Sequence, residues 1–306
     1  MSPCRLLLER LCAKPFLVPP VLDQPLAPLT SLKAGAKAGL FVQPSNEGEL
    51  EYLFAALLPL DLPWFLVGKG SNLVCRDQDF PGVLVQLTGE FGRLSQNQRE
   101  LQAGAGTVDA KVARFARQCG LGGAEWLVTV PGSLGGAVAM NAGAYGQDIA
   151  GMFAGGRAFD PAKGFVDLSP EDLAFGYRSS RLQKTGEILL SARLALTPKE
   201  PEVIRQLELE YLKKRRLTQP TGIKTFGSIF KNPPGTSAWK LIDQAGLRGR
   251  QIGSFRISPV HANFMENLGQ GEAKGLIELI ETVQSEVQAQ TGVKLDLEGK
   301  LFPPEP

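Results

Sequence analysis

The sequence predicts an α+β protein in two parts, and three observations carry that prediction. Apolar runs of strand length alternate with helical patterns through the first two-thirds of the chain, two glycine-rich turns follow such runs, and beyond "EILLSARLAL" (187–196) the composition turns to helices. At 306 residues the chain has room for about two or three domains, each able to bury a core.

The elements follow in order. "CRLLLERLCA" (4–13) resembles a short signal core, but Glu9 and Arg10 interrupt it and no window approaches transmembrane length, which favours a short amphipathic helix. Asn46 with Glu49 three residues on makes a capping box ahead of an apolar helix face. "PWFLVG" (63–68) is a buried strand running into "GKGSN", Gly68 to Asn72, and "GVLVQL" (82–87) is another. In "TVDAKVARFARQCG" (107–120), Val108, Val112, Phe115 and Cys119 keep helical spacing until Gly120 ends it. The apolar run Trp126 to Val130 is strand-like and leads into "PGSLGGAVAMNAGAYG", Pro131 to Gly146.

Beyond residue 198, "EPEVIRQLELEYLKKRRLTQP" carries acids early and bases late, as the helix dipole favours, and Pro220 stops it. This helix opens a second unit. "SAWKLIDQAG" (237–246) and "GEAKGLIELIETVQSEVQAQTG" (271–292) are further helices. "VKLDLEGKLF" (293–302) alternates as an edge strand, with Val293, Leu295 and Leu297 on one face and Lys294, Asp296, Glu298 and Lys300 on the other.

Composition narrows the function. Lys and Arg number 33 against 31 Asp and Glu, a formal +2, so neither a nucleic-acid surface nor a polybasic membrane anchor is indicated and small metabolites are the default partners. Cys4, Cys12, Cys75 and Cys119 form no CxxC pair, which argues for a reduced, cytoplasmic protein without a zinc site or disulfide framework. His261 is the only histidine, so histidine triads and multi-histidine metal sites are excluded.

Pro131 to Gly146 invests in backbone. Glycine permits positive φ and close approach, and successive exposed amides form concave nests for anions. No G-x-G-x-x-G joins a strand to a helix and no Walker lysine loop is present, which removes most of the weight from Rossmann and P-loop readings. The turns "GKGSN" and "PGSLGG" could hold the two phosphates of a dinucleotide from opposite sides, with Ser71, Asn72 and Ser133 adding side-chain hydrogen bonds. A tight Gly/Ala-packed loop between sheet elements is the other reading.

The blocks "VGKGSNLV", "VPGSLGGAVAMNAGAYG", "FGYRSSRL", "FGSIFKNP", "ISPVHANFMENLG" and "VKLDLEGKL" occur in the order and spacing of the UDP-N-acetylenolpyruvoylglucosamine reductase (MurB) family, and the resemblance covers nearly the whole chain. It implies an FAD-binding domain of the vanillyl-alcohol-oxidase (PCMH) type followed by a smaller α+β substrate domain. The boundaries are then 1–62 for the N-terminal part of the FAD-binding unit, 63–198 for the FAD-binding subdomain and 199–306 for the substrate domain. It also implies noncovalent FAD, NADPH as reductant, UDP-N-acetylglucosamine enolpyruvate as substrate and a monomeric, cytoplasmic enzyme.

Residue by residue, the resemblance makes Arg178 the catalytic arginine, Glu298 the C-terminal glutamate beside the developing oxyanion and Ser228 the proton donor. Gly68, Gly70, Ser71, Asn72, Pro131, Gly132, Ser133, Gly135, Gly136 and Asn141 fall to the cofactor, and Tyr177, Lys231 and Asn232 to the substrate. Local sequence alone leaves these open: Arg178 also reads as a surface ion pair or cap, Glu298 as a solvated strand face, Ser228 as a turn residue. For Lys213 to Arg216 a solvated helix end is preferred over phosphate contacts, and His261 is read as structural or flavin-adjacent rather than as the acid.

Three features depart from the family pattern. "TSLKAGAKA" replaces the usual Arg-Ile-Gly-Gly core, Gly299 replaces the usual valine after the glutamate, and the short separation of Arg178 from Ser228 resembles the class lacking the lid loop with its clamping tyrosine. Two alternatives remain at this level: another FAD-dependent oxidase of the same fold, and a non-redox nucleotide-sugar binding module.

Overall fold

A computed structural model of the chain describes residues 2–269 and 273–304. The chain forms two compact units: Met1–Asp23, Gly39–Lys69 and Pro81–Lys214 make the first, and Gln24–Ala38, Gly70–Phe80 and Arg215–Pro306 the second.

In the first unit, helix α1 (Pro3–Leu11) starts with Pro at its first position and Ser2 Oγ accepting from Arg5 N, and it buries Cys4, Leu7 and Leu11. Helix α2 (Glu47–Leu57) carries one half of the predicted capping box, Asn46 Oδ1 accepting from Glu49 N at 2.9 Å, while the Glu49 carboxylate reaches past the cap. The Glu49 carboxylate takes Ser45 N at 2.8 Å and Leu17 N at 3.0 Å, so one acid both closes the helix start and pins a distant segment. Leu50, Leu53, Phe54 and Leu57 then share a core with a sheet in the order Val21–Pro25, Lys37–Val42, Phe80–Val85, Trp64–Leu66. Trp64 meets Phe54 edge-on at 4.9 Å.

A second, antiparallel sheet runs Gly164–Leu168, Phe153–Asp160, Ile188–Ala195, Glu100–Gly104, Leu94–Asn97. Helix α4 (Leu134–Ala139) packs on this sheet, and the unit also holds α3 (Asp109–Gln118), the single turn α5 (Leu182–Thr185) and the start of the long α6 (Pro201–Thr218). Buried Glu208 of α6 pairs with Arg117 of α3, which fixes residues 201–214 to the first unit, so this helix does not open the second unit as its place after the composition shift suggested.

One prediction fails here. Residues Glu125–Thr129 form a 3-10 helix, not a strand, so "PGSLGG" joins two helical pieces. A five-residue apolar run has no usable period, and here local polar bonds decide. Thr129 Oγ1 donates to Trp126 O at 2.7 Å, and the buried Glu125 carboxylate holds Gly123 N at 2.7 Å and Lys199 Nζ at 2.8 Å.

In the second unit, α7 (Ala238–Gln244) and α8 (Lys274–Thr291) cover a meander of Gln251–Ile252, Phe255–Ile257 and Met265–Asn267. Asp77 accepts from Ala273 N at 2.5 Å and Lys274 N at 2.6 Å at the start of α8, and Gly292 ends the helix with φ +71°. Of the predicted start of this helix, Gly271 and Glu272 lie outside the described residues.

The C-terminal segment is not one edge strand. Residues 296–298 bond to 229–231, and only Lys300–Phe302 is regular strand, parallel to Leu73–Cys75. The alternation was legible, with Leu295 buried, but hydrophobic pattern cannot report that a segment changes partner at Gly299. The space for a Cβ at Gly299 is filled by Val74 Cγ2 at 2.7 Å and Phe226 Cε2 at 2.9 Å, which accounts for glycine at this position.

Candidate functional site

Within the first unit, Gly68 at the start of one glycine-rich turn meets the other. Trp64–Leu66 delivers Gly68 against Ser133 so closely that a Cβ on Gly68 would lie 2.3 Å from Ser133 Oγ. Pro131 leads into Gly132, whose φ is +155°, and the turn is templated by residues 105–109. Asp109 N donates to Gly132 O at 3.2 Å, Leu134 N to Thr107 O at 2.9 Å and Gly135 N to Ala105 O at 2.8 Å, with a bridge between Val108 and Ser133. A Cβ on Gly135 would sit 3.1 Å from both Cβ and O of Ala105, whereas one on Gly136 finds Ser133 Oγ at 3.6 Å. The glycines at 68 and 135 are thus required by close protein neighbours, Ser133 and Ala105, and the turn they shape, with backbone alone at Gly132 and no more than an ordinary contact beside Gly136, fits a phosphate-bearing cofactor such as FAD.

Gly70 belongs to the second unit, has φ +61° and would place a Cβ 2.1 Å from Leu29 O, so only glycine fits. Ser71 follows it, and Asn72 Nδ2 donates to Glu298 O at 3.3 Å while Asn72 O accepts from Lys300 N at 2.9 Å. Asn72 therefore braces the backbone of the predicted glutamate.

Asn141, φ +40°, is nine-tenths buried or more and its carboxamide is engaged by protein: Nδ2 donates to Gly176 O at 3.0 Å and Oδ1 accepts from Ala150 N at 3.0 Å. It ties the loop after α4 to the turn that carries Arg178. That turn is closed by Gly176 N to Ser179 O at 3.0 Å and Ser179 N to Gly176 O at 3.2 Å, leaving Tyr177 and Arg178 at its tip. Arg178 sits at φ +52°, a conformation costly for a residue with a Cβ. Its Nη2 donates to Gly143 O at 2.9 Å and its guanidinium lies 5.2 Å from the ring centre of exposed Tyr177.

Gly143 opens a small hairpin, Gly143–Ala144 with Gln147–Asp148, whose two-residue tip Tyr145-Gly146 has positive φ at both positions, +55° and +78°. Tyr145 stacks on Tyr211 of α6 at 4.6 Å and donates to Tyr211 O at 3.2 Å, while Gln147 Nε2 donates to Tyr211 Oη at 3.0 Å. The hairpin that receives Arg178 is thus held from its far end by α6.

In the second unit, Ser228 and Glu298 lie on neighbouring segments, since Glu298 N donates to Ile229 O at 2.8 Å and Lys231 N to Asp296 O at 2.9 Å. Ser228 bridges Phe264, and buried Asn263 clamps the same segment from the side chain, Nδ2 to Phe230 O at 2.8 Å and Phe230 N to Oδ1 at 2.9 Å. Asn232 Oδ1 takes Ala238 N at 3.0 Å at the start of α7. Burial, then the charge of Lys231, pulls the Lys300 ammonium below its ordinary range, so two cations share one neighbourhood near Glu298.

His261 has its pKa lowered, chiefly by burial and then by Arg248, and its Nδ1 accepts from Asn263 N at 3.2 Å. It is therefore a neutral brace for Asn263. Sequence reasoning missed Asn263, Gly143 and Tyr211 because their signal is purely tertiary.

These features define a class: a flavoenzyme with a glycine-cradled FAD-binding unit and a separate substrate unit. Residues 38–161 match the FAD binding domain family and residues 219–302 match "UDP-N-acetylenolpyruvoylglucosamine reductase, C-terminal domain". The chain is 42% identical over 281 residues to such a reductase from Rhodopseudomonas palustris, covering 91% of this chain and 90% of the relative. It is 42% identical over 283 residues to one from Caulobacter vibrioides, covering 92% and 93%. The crystal structure of the Thermus caldophilus reductase superposes with a TM-score of 0.80 at 35% identity, covering 93% of this chain and 98% of that one. A berberine bridge enzyme variant in complex with (S)-reticuline shares the fold alone, with a TM-score of 0.50, 13% identity and coverage of 66% and 45%. The chain belongs to the UDP-N-acetylenolpyruvoylglucosamine reductase family.

Proposed function

We propose that Arg178, Ser228 and Glu298 carry the chemistry of this chain, an NADPH-dependent flavoenzyme that reduces UDP-N-acetylglucosamine enolpyruvate to UDP-N-acetylmuramate in peptidoglycan precursor synthesis. The activity is that of a UDP-N-acetylmuramate dehydrogenase. Bound FAD supplies the hydride relay between NADPH and the enolpyruvyl double bond. The glycines and serine of 68–71 and 131–136 hold its phosphates, with Asn72 and Asn141 fixing the surrounding loops.

Reduction of the double bond puts negative charge on the substrate carboxylate and leaves a carbon that needs a proton. The guanidinium fork of Arg178 matches that carboxylate, Glu298 hydrogen-bonds the developing oxyanion in its protonated form, and Ser228 Oγ gives the proton. Tyr177, Lys231 and Asn232 grip the UDP-sugar. The observation that carries this reading is the strained φ of +52° at Arg178, maintained by a doubly bonded turn and by Gly143 O. Strain so thoroughly supported is a mark of a functional residue.

The proposal extends to the division 1–62, 63–198 and 199–306; the family matches at 38–161 and 219–302 support a cofactor part ahead of a substrate part, while the compact units draw the line elsewhere, with 201–214 in the first and Gly70–Phe80 in the second. It also takes the chain as a cytoplasmic monomer without nucleic-acid or membrane partners, supported by the near-neutral formal charge of +2. Among the described residues no helix is long and apolar enough to cross a membrane.

The test is Ser228→Ala followed by stopped-flow absorbance. Flavin bleaching by NADPH needs no proton from Ser228 and stays near the wild-type rate. Turnover of the enolpyruvyl substrate falls by about a hundred-fold or more, the scale of general-acid loss, and Ser228→Cys recovers part of it. Equal slowing of both half-reactions would make Ser228 structural and sink the assignment.

A further inference from the structure

Behind the turn 132–135 lies a sealed group of polar atoms that nothing in the proposed chemistry uses. Thr107 and Asp109 are 3% and 0% exposed, and Thr107 Oγ1 and both carboxylate oxygens of Asp109 have no hydrogen-bond partner. The two residues flank Val108, which is extended at φ −66°, ψ 133° and itself 39% exposed, so their side chains leave the segment on one side, away from solvent. The same segment templates the turn, with Asp109 N donating to Gly132 O and Leu134 N donating to Thr107 O. Trp126 Nε1, on the 3-10 helix packed along α3, is likewise buried without a partner.

An isolated buried carboxylate is untenable at this cost, and a neutral acid with one O–H donor is the form that survives. Burial pushes the Asp109 carboxyl well above the usual carboxylate range, and no charged group contributes to that shift. Of the elements packed against α3, α4 and residues 131–136 carry no charge, and Glu125 is neutralised by Lys199. On α3 itself Lys111 and Arg114 stand on other positions of the helix and Arg117 is taken by Glu208. The oxygens have essentially no solvent-accessible area, so they do not touch a ligand seated on the front of the turn.

We propose that Asp109 is a positioning residue for FAD: a neutral carboxylic acid that, with Thr107, backs the turn 132–135 and keeps its rear free of negative charge while its front holds a dianionic pyrophosphate. The inference rests on the reading of 131–136 as the pyrophosphate turn. Ionisation of Asp109 then sets a third negative charge behind the same few residues. FAD affinity drops as pH rises through the ionisation of this acid, by at least about ten-fold for like charges on opposite sides of one turn.

The experiment titrates apoprotein with FAD by flavin fluorescence between pH 6 and pH 10, for wild type and for Asp109→Asn, an isostere that keeps a donor and cannot ionise. Infrared difference spectra of wild type against Asp109→Asn at pH 7 look for the carbonyl band of a protonated carboxylic acid. The expected result is that band in wild type alone, with wild-type FAD affinity falling on the alkaline side and the Asn variant flat. Parallel affinity profiles, or no such band, overturn the proposal. Should Asp109→Asn fail to fold, the alkaline loss of a protonated-acid band in wild type, measured beside the FAD titration, decides alone: loss of band and affinity together supports the proposal, and affinity lost without the band refutes it. Gly135→Val separates the underlying reading: if that variant binds FAD normally, the turn is not part of the site, whatever Asp109 does.

Discussion

Gly135→Val tests the cofactor cradle most directly. At this position an ideal Cβ lies 3.1 Å from Ala105 Cβ, against an ordinary carbon contact of about 3.5–4.0 Å, so even the first added carbon is about half an ångström too close. Alanine needs only a small adjustment. Valine adds two more carbons, and the relief available is to lift the turn off Ala105, which breaks the 2.8 Å bond from Gly135 N to Ala105 O. Overpacking costs about 1–3 kcal/mol and the lost hydrogen bond about 1 kcal/mol, together about 2–4 kcal/mol. If the turn alone absorbs this, FAD affinity falls by about thirty- to a thousand-fold. Fluorescence titration of the apoprotein measures the affinity, and circular dichroism with thermal melting shows whether the fold persists. A folded Gly135→Val protein with wild-type FAD occupancy would refute the reasoning, because the close approach on which it rests would then serve packing only.

Three other outcomes follow from the same geometry. Arg178→Lys keeps the charge but loses the planar fork, so turnover should fall by about a hundred-fold with flavin occupancy unchanged, measured by steady-state kinetics beside the visible spectrum. Gly299→Val collides with Val74 and Phe226 and should cost about 1–3 kcal/mol of stability, recovered in part by Val74→Ala and read by urea denaturation. Asp109→Asn should flatten the pH dependence of stability: the unfolded carboxyl ionises near its ordinary value while the folded one stays protonated, so the wild type loses up to about 1.4 kcal/mol per pH unit between those two points as pH rises. Thermal melts of the two proteins should therefore converge near pH 4 and separate above it.

What the sequence made legible was local and periodic. The Asn46 cap of α2, the amphipathic α1 and the end of α3 at Gly120 rest on contacts within one turn of chain, and they appear as read. The run Trp126 to Val130 misled because five apolar residues suit a buried 3-10 helix as well as a strand. The C-terminal alternation misled about pairing, since register and partner belong to the other strand. Likewise the glycine turns announced a backbone-lined site, but that Gly68 meets Ser133 depends on residues far apart in sequence. Asn263, whose two hydrogen bonds to Phe230 hold the Ser228 segment, has no local mark at all.

The positive-φ residues show how the first unit supports its strain. Asn141, Tyr145 and Arg178 all adopt left-handed backbone, at +40°, +55° and +52°, and all three belong to one bonded assembly. Asn141 binds the carbonyl of Gly176 at the base of the Arg178 turn, Arg178 returns a bond to Gly143, and Tyr145, two residues beyond Gly143, is anchored on Tyr211. Each strained residue costs about 1–3 kcal/mol on its own and persists only if its neighbours over-determine it. The bonds among these loops supply that over-determination without enclosing the guanidinium, whose companion at the turn tip, Tyr177, is 55% exposed. If Arg178 has the role proposed for it, the stability given up at these three positions goes to the placement of one arginine.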